Sequence, residues 1–134
     1  MPQVSRLFFK AAAVFFLAGI AMGLQMSMAG DFKSGGAHAH LSLIGWVSGA
    51  IFGLYFAHES EKAETRLALV LFWVFVTATV VMTGALYLLL NGYQSMSPLV
   101  AFGSMLYAVA AVFFTWIVFR PAQSQPAGEN QPVG

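Results

Sequence analysis

The sequence contains no cysteine and very little charge. Only 8% of its 134 residues are charged, whereas 59% are hydrophobic and the mean hydropathy is +0.76. A water-soluble domain carries about 25% charged residues, so the deficit argues against an ordinary soluble domain. The missing cysteine excludes disulfides, thiolate metal sites and cysteine nucleophiles. The net charge of only +1 argues against a nucleic-acid partner.

Four long apolar runs are present instead. They cover about residues 7–29, 38–57, 67–90 and 98–119. Each run reaches the roughly 20 residues that a helix needs to cross a bilayer. Lys10 is the only charged residue inside them, one turn from an end, where a lysine can snorkel to the headgroups. The pattern predicts an all-α, four-helix transmembrane bundle over residues 1–120. A disordered tail, rich in Pro, Gln and Gly, is predicted at residues 121–134.

The first apolar run also has features of a cleavable signal peptide. Ser27 and Ala29 would suit a cleavage site. The run is longer than the apolar core of a usual signal peptide, and we therefore expect a retained helix.

Basic residues fall almost entirely on one side of this arrangement. They are Arg6, Lys10, Lys62, Arg66 and Arg120, with Lys33 alone on the other side. The positive-inside rule then predicts that both termini and the middle loop are cytoplasmic. We expect a multi-pass protein of the bacterial inner (cytoplasmic) membrane, with the start of the second helix at the outer surface.

Glycines at four-residue spacing indicate where the helices pack. The first predicted helix carries Gly19 and Gly23, and the second carries Gly45, Gly49 and Gly53. In membranes such glycines allow two helix backbones to approach closely. The same missing side chains would suit a flat ligand such as a porphyrin, so both interpretations stay open for Gly45 and Gly49.

Two histidines, His38 and His40, lie at the outer end of the second helix. In a regular helix His38 lies about 20° from the Gly45 stripe and His40 about 140° from it. Such histidines can cap the helix, ligate copper, zinc or haem iron, or relay protons. No acidic residue lies within a predicted helix, which disfavours a relay. Asp31 in the preceding loop is a candidate acceptor for the second ring N–H of a ligating histidine.

Methionines accompany the histidines at the same membrane depth. Met22 and Met26 lie one turn apart near the end of the first helix, and Met28 follows. Thioether sulfur ligates Cu(I) and can be an axial ligand to haem, although methionine more commonly fills gaps between apolar surfaces. His58 ends the second helix roughly 27–30 Å from the pair and cannot join their site within one chain.

The segment Ala-His-Ala-His-Leu-Ser-Leu-Ile-Gly-Trp, residues 37–46, resembles the opening of the NnrS family of membrane proteins. Those proteins bind haem and copper and are linked to nitric oxide tolerance. The stretch to Tyr55 also resembles the second helix of the catalytic subunit of haem-copper oxidases and nitric oxide reductases. That resemblance implies that His38 ligates haem, with Gly49 and Gly53 at the positions of the family's glycines. Both families are much longer, and their later helices, with the second axial histidine and the copper ligands, have no counterpart here.

These observations predict a haem b-binding membrane protein in electron transfer or nitric oxide-related respiration. The cofactor would contact His38, His40, Gly45 and Gly49. Two histidines that are two residues apart on one helix cannot bind one haem iron from opposite faces. We therefore expect the second axial ligand to be a methionine or a histidine from another copy in a homo-oligomer. A respiratory complex, a quinone or a cytochrome is the expected redox partner. The sequence contains no hydrolase triad or phosphate-binding loop, and enzymatic activity is not predicted.

Two alternatives of different classes remain. A copper site of His38, His40, Met22 and Met26 would serve oxidase assembly or copper tolerance. A chain without any cofactor would be a structural subunit of a larger membrane complex. Metal analysis and co-purifying proteins distinguish these alternatives from haem binding.

Overall fold

Four long helices make up the fold, and the structure, a computed structural model, describes residues 1–121. The helices are α1 (Gln3–Ala29), α2 (Gly35–His58), α3 (Arg66–Leu90) and α4 (Gln94–Phe119). At 1.5 Å per residue each measures roughly 36–40 Å, which exceeds the hydrocarbon core of about 30 Å. The predicted all-α architecture with four candidate membrane-spanning helices is confirmed, and residues 1–121 contain no strand. The tail predicted at residues 121–134 lies, from residue 122 onward, outside the described residues.

The helices begin before the apolar runs that predicted them, because polar residues and glycines form their first turns. α2 begins at Gly35, so both histidines lie within its first two turns. Thr65 caps α3, since its Oγ1 accepts a hydrogen bond from the Ala68 N–H at 3.2 Å. Gly30 ends α1 in the left-handed conformation, with φ 64°, which glycine adopts without steric cost.

The middle of α2 is wound as a π-helix. The π-helical segment comprises the eight residues Leu41–Ser48, in which the backbone hydrogen bonds join residues five apart. α-Helical turns lie on both sides of it. Ser48 Oγ donates to the carbonyl of Leu43, five residues earlier, at 3.3 Å. The prediction of side-chain directions from 100° per residue therefore does not apply across this segment, because a π turn rotates less per residue.

Phe8 of α1 lies at the centre of an aromatic core and is fully buried. Its ring centroid lies 5.2–5.7 Å from those of four rings of α2 and α3, namely Phe52, Phe56, Phe72 and Phe75. Edge-to-face and offset arrangements at such distances are favourable for aromatic rings. The cluster joins three of the four helices.

α4 packs mainly against α3. At Gly103 the two backbones meet so closely that a Cβ atom would lie 2.8 Å from the Cα of Met82. Near the end of α4, the Phe114 ring lies 4.3 Å from the ring of Phe52 on α2. Lys62 Nζ also donates to the Val118 carbonyl at 3.3 Å, which ties the end of α4 to the connection between α2 and α3.

The two ends of the bundle differ in charge. The histidine end comprises the connection between α1 and α2, the first turns of α2 and the end of α3, and it holds the Asp31–Lys33 ion pair at 3.0 Å. The basic end holds the chain start, the connection between α2 and α3, and the end of α4. Between these ends, large apolar side chains are exposed along all four helices, as expected where a protein contacts lipid.

Candidate cofactor site

His38 lies between α1 and α2 with one ring nitrogen already bonded. Its Nδ1 lies 2.9 Å from the carbonyl oxygen of Gly19. A carbonyl oxygen only accepts, so this bond requires the proton on Nδ1. Nε2 then carries the lone pair. A metal-ligating histidine commonly has this tautomer, with its other ring nitrogen donating to a backbone carbonyl.

The glycine pair of α1 makes room for the start of α2. A Cβ atom on Gly23 would lie 3.2 Å from Cε1 of His38, and one on Gly19 would lie 2.9 Å from Oγ of Ser42. Gly19 therefore acts twice: its missing side chain admits Ser42, and its carbonyl accepts the imidazole N–H. The glycine spacing in α1 allows the close helix approach expected of small residues in membranes.

His40 leaves α2 in a different direction. Its Nδ1 lies 2.8 Å from the carbonyl of Gly36, one turn earlier in the same helix, so its Nε2 also carries the lone pair. A Cβ atom on Gly36 would face Leu86 and Leu90 of α3. His40 follows Gly36 by four residues and therefore lies near the α3 side of α2, whereas His38 lies on the α1 side.

The glycine face of α2 is filled by neighbouring side chains. A Cβ atom on Gly45 would lie 3.0 Å from Thr79 and 3.1 Å from Phe15, and one on Gly49 would lie 3.2 Å from Phe75. In this structure these glycines serve helix packing. A porphyrin fits against them only if the phenylalanine rings move, so haem contact at Gly45 and Gly49 stays a prediction.

The predicted methionine ligands, Met22 and Met26, lie one turn apart on α1 but differ in exposure. Met22 lines a groove between α1 and α3, whereas the next residue, Gly23, faces His38. Met26 is buried, and Met28 is exposed. Among residues 1–121, no three His, Cys, Asp or Glu side chains come together as a metal-ligating group. His58 is exposed at the far end of α2, away from His38.

Asp31 does not bond to a histidine. Its carboxylate accepts the backbone N–H of Lys33 at 3.0 Å and pairs with Lys33 Nζ at 3.0 Å. These contacts hold the pKa of Asp31 below its ordinary value of 3.8. The hydrogen bond from a histidine ring to Asp31, suggested by the sequence, is not formed, and the ring Nδ1 atoms of His38 and His40 lie instead against the carbonyls of Gly19 and Gly36.

The groups that hold the histidine end together were not identified from the sequence. Asn91, after α3, donates from Nδ2 to Ser34 Oγ at 3.0 Å and to the Tyr87 carbonyl at 2.8 Å. The Ser34 carbonyl in turn accepts the backbone N–H of His38 at 3.0 Å. The end of α3 is thus linked to the first turn of α2. Polar residues beside the apolar runs are the only sequence signal of this link.

The fold defines the class: an all-helical, multi-pass membrane protein with four candidate membrane-spanning helices. Neither a family model, nor a curated protein, nor a solved structure matches the chain. The resemblance of residues 37–46 to haem-binding membrane families therefore stays a prediction.

Proposed function

We propose that this chain is a haem b-binding membrane protein in which His38 is an axial ligand. The hydrogen bond from His38 Nδ1 to the Gly19 carbonyl at 2.9 Å carries the proposal. In the neutral ring this bond favours the tautomer that leaves the lone pair on Nε2. The π-helix that begins directly after His40 adds support, because π turns are frequent at functional sites.

Haem demands fewer protein ligands than a bare metal ion. The porphyrin supplies the equatorial ligands, so the protein adds only axial ones. An axial haem site therefore needs no cluster of three His, Cys, Asp or Glu side chains, and residues 1–121 contain no such cluster. A single imidazole such as that of His38 is enough for one axial position of the haem iron.

The haem is proposed to lie against the outside of the single chain, in contact with a second copy. Phe15 and Phe75 lie against the glycine face of α2, so a haem that contacts Gly45 and Gly49 would have to displace these rings. His38 and His40 diverge, so one chain offers one axial histidine per iron. A symmetric homo-oligomer supplies the same patch again, and with it a second ligand. His40 then acts as the supporting or alternate ligand.

Bound haem would supply a one-electron redox centre or a gas-binding iron. We assign the chain on this basis to electron transfer or to nitric oxide-related respiration in the bacterial cytoplasmic membrane. A quinone, a cytochrome or a respiratory complex is the proposed partner, and turnover of a substrate is not part of the proposal. The chain itself holds the His38 ring through the contact of Nδ1 with the Gly19 carbonyl.

The haem content of two histidine variants tests the assignment of the ligand. Protein purified from haem-replete cells should give a b-type pyridine haemochrome. His38→Ala should lose the haem, whereas His58→Ala is the matched control at the basic end and should retain it. Equal haem content in both variants would exclude His38 as the ligand.

Copper is the alternative cofactor, because a neutral imidazole whose Nδ1 donates to a carbonyl, as at His38 and His40, offers the lone pair of Nε2 to a metal. The site would combine His38 and His40 with Met22 and Met26, and Met22 would have to turn away from α3. Stoichiometric copper in haem-free protein, lost in His40→Ala, would favour this function. Neither metal nor haem, together with co-purifying proteins, would indicate a structural subunit.

A further inference from the structure

An exposed polar pair joins α1 and α3 near the histidine end of the bundle. Gln25 Nε2 of α1 donates to the Tyr87 hydroxyl of α3 at 2.9 Å. A side-chain amide carries two N–H groups, so this bond uses only one of them. A polar group in apolar surroundings costs free energy unless it is hydrogen-bonded. The second N–H of Gln25 therefore favours an acceptor outside the chain.

The lengths of the two helices place this pair at the boundary between lipid headgroups and acyl chains. An upright α1 of 27 residues measures roughly 40 Å, so about 5 Å extends beyond each side of a hydrocarbon core of about 30 Å. Gln25 lies roughly 6 Å before the end of α1 at Ala29. Tyr87 lies roughly 4.5 Å before the end of α3 at Leu90, and α3 extends beyond the core by about 4 Å. The ester carbonyls of phospholipids lie at this depth, where tyrosine is also enriched.

An apolar groove of about 410 Å³ lies between α1 and α3, directly below the polar pair. Its lining residues are Ala21, Met22, Gln25, Thr83, Gly84 and Tyr87. The Thr83 hydroxyl is buried, so the groove presents apolar surface below the Gln25–Tyr87 bond. A Cβ atom on Gly84 would meet nothing within 4 Å. Gly84 therefore keeps the groove open and serves no helix contact within the described chain, although glycine is unfavourable inside a helix.

We propose that this groove binds one diacyl phospholipid from the leaflet at the histidine end. An acyl chain lies against Met22 and Gly84, and the ester carbonyl above it accepts the second N–H of Gln25. A carbonyl oxygen only accepts and an amide N–H only donates, so the two groups are complementary. The headgroup charge does not contribute, because the nearby charged residues Asp31 and Lys33 already pair with each other at 3.0 Å.

Two other candidate occupants match the groove less well. Water would meet no exposed polar group below the Gln25–Tyr87 bond. A helix from a second copy would contact the apolar lining, but its backbone carbonyls are already bonded within the helix and are poorer acceptors for Gln25. The inference does not depend on haem binding, because His38 meets α1 at Gly19 and Gly23, which do not line the groove.

Two lipids that differ only in the ester carbonyl test the site. The chain is reconstituted in equal amounts of a diester phosphatidylcholine and the diether phosphatidylcholine with the same chains. Native mass spectrometry after gentle delipidation then counts the retained lipids. The natural chain should retain the diester about two- to ten-fold more than the diether, which is the preference that one net hydrogen bond gives. Gln25→Leu should lose this preference. Equal retention of both lipids by the natural chain would overturn the inference, as would an unchanged preference in Gln25→Leu.

Filling the groove tests where the lipid lies. Gly84→Leu has room for its side chain and should lose retained diester. Val80→Leu is the matched control, because Val80 is 58% exposed on the same helix but does not line the groove. Equal retention by the two variants would contradict the site. Magnetisation transfer to the Met22 methyl group should come from acyl protons and weaken in Gly84→Leu. Transfer from a separately labelled copy of the chain instead would identify a second copy as the occupant and contradict the lipid site.

Discussion

His38 owes its position to two residues that themselves carry no functional side chain. Gly19 accepts the imidazole N–H at 2.9 Å, and Gly23 leaves the space that the ring occupies. The sequence predicted the candidate ligand from its own segment of α2. It did not predict the support, because a backbone carbonyl on another helix has no signature in side-chain pattern. The same reason explains why Asp31, a visible acid, was chosen as the acceptor while the carbonyls were missed.

Gly23→Ala should displace the His38 ring. The added Cβ atom would lie 3.2 Å from Cε1, so the ring must shift or leave its rotamer. An off-rotamer side chain costs roughly 0.5–1.5 kcal/mol, which corresponds to a loss of about 2–10-fold in haem affinity. Haem titration of the purified variant measures this loss.

Gly84→Ala is the matched control, because its Cβ atom meets nothing within 4 Å. It should keep the haem affinity and gain roughly 0.5–1 kcal/mol of stability from better helix propensity. Unchanged haem affinity in Gly23→Ala as well would show that the fit of the ring against α1 does not matter for binding.

The helices themselves were largely predictable, but the winding of α2 was not. Four apolar runs of sufficient length can satisfy their backbone groups in a membrane only as helices, so their number followed from hydropathy. The π segment Leu41–Ser48 escaped prediction. Both α and π turns pair the backbone within the helix, and an apolar run does not distinguish between them.

Gly103→Ala should destabilise the contact between α3 and α4. The new Cβ atom would lie 2.8 Å from the Cα of Met82, and a backbone atom cannot turn aside as a flexible side chain can. Overpacking of this kind costs about 1–3 kcal/mol. Thermal or chemical unfolding in detergent measures the change, with Gly84→Ala on the facing helix as the control. Equal stability of the two variants would contradict this account of the α3–α4 contact.

Composition predicted the class of protein, a multi-pass membrane protein, better than it predicted the residues of the candidate site. The scarcity of charge and the four apolar runs indicate a multi-pass membrane protein, and the four candidate spans agree. The glycines of α2 illustrate the limit. Their spacing suits helix packing and a flat ligand equally, and only the positions of Phe15 and Phe75 show which neighbours occupy them.

The expected orientation in the membrane rests on the distribution of basic residues. We expect the histidine end outside and the basic end in the cytoplasm. Phe32→Cys and Ser60→Cys place single exposed thiols at the two ends. An impermeant maleimide added to intact cells should label Phe32→Cys, and it should label Ser60→Cys only after permeabilisation. The reverse pattern would place the histidines on the cytoplasmic side.

The absorption spectrum of the unmodified chain tests the central claim most directly. Protein purified gently from haem-replete cells should show a Soret band and a reduced-minus-oxidised difference spectrum of the b type. The band should accompany an oligomer in size-exclusion chromatography, because one chain offers one axial histidine per iron. A folded protein from the same cells with no Soret band would contradict haem binding through His38.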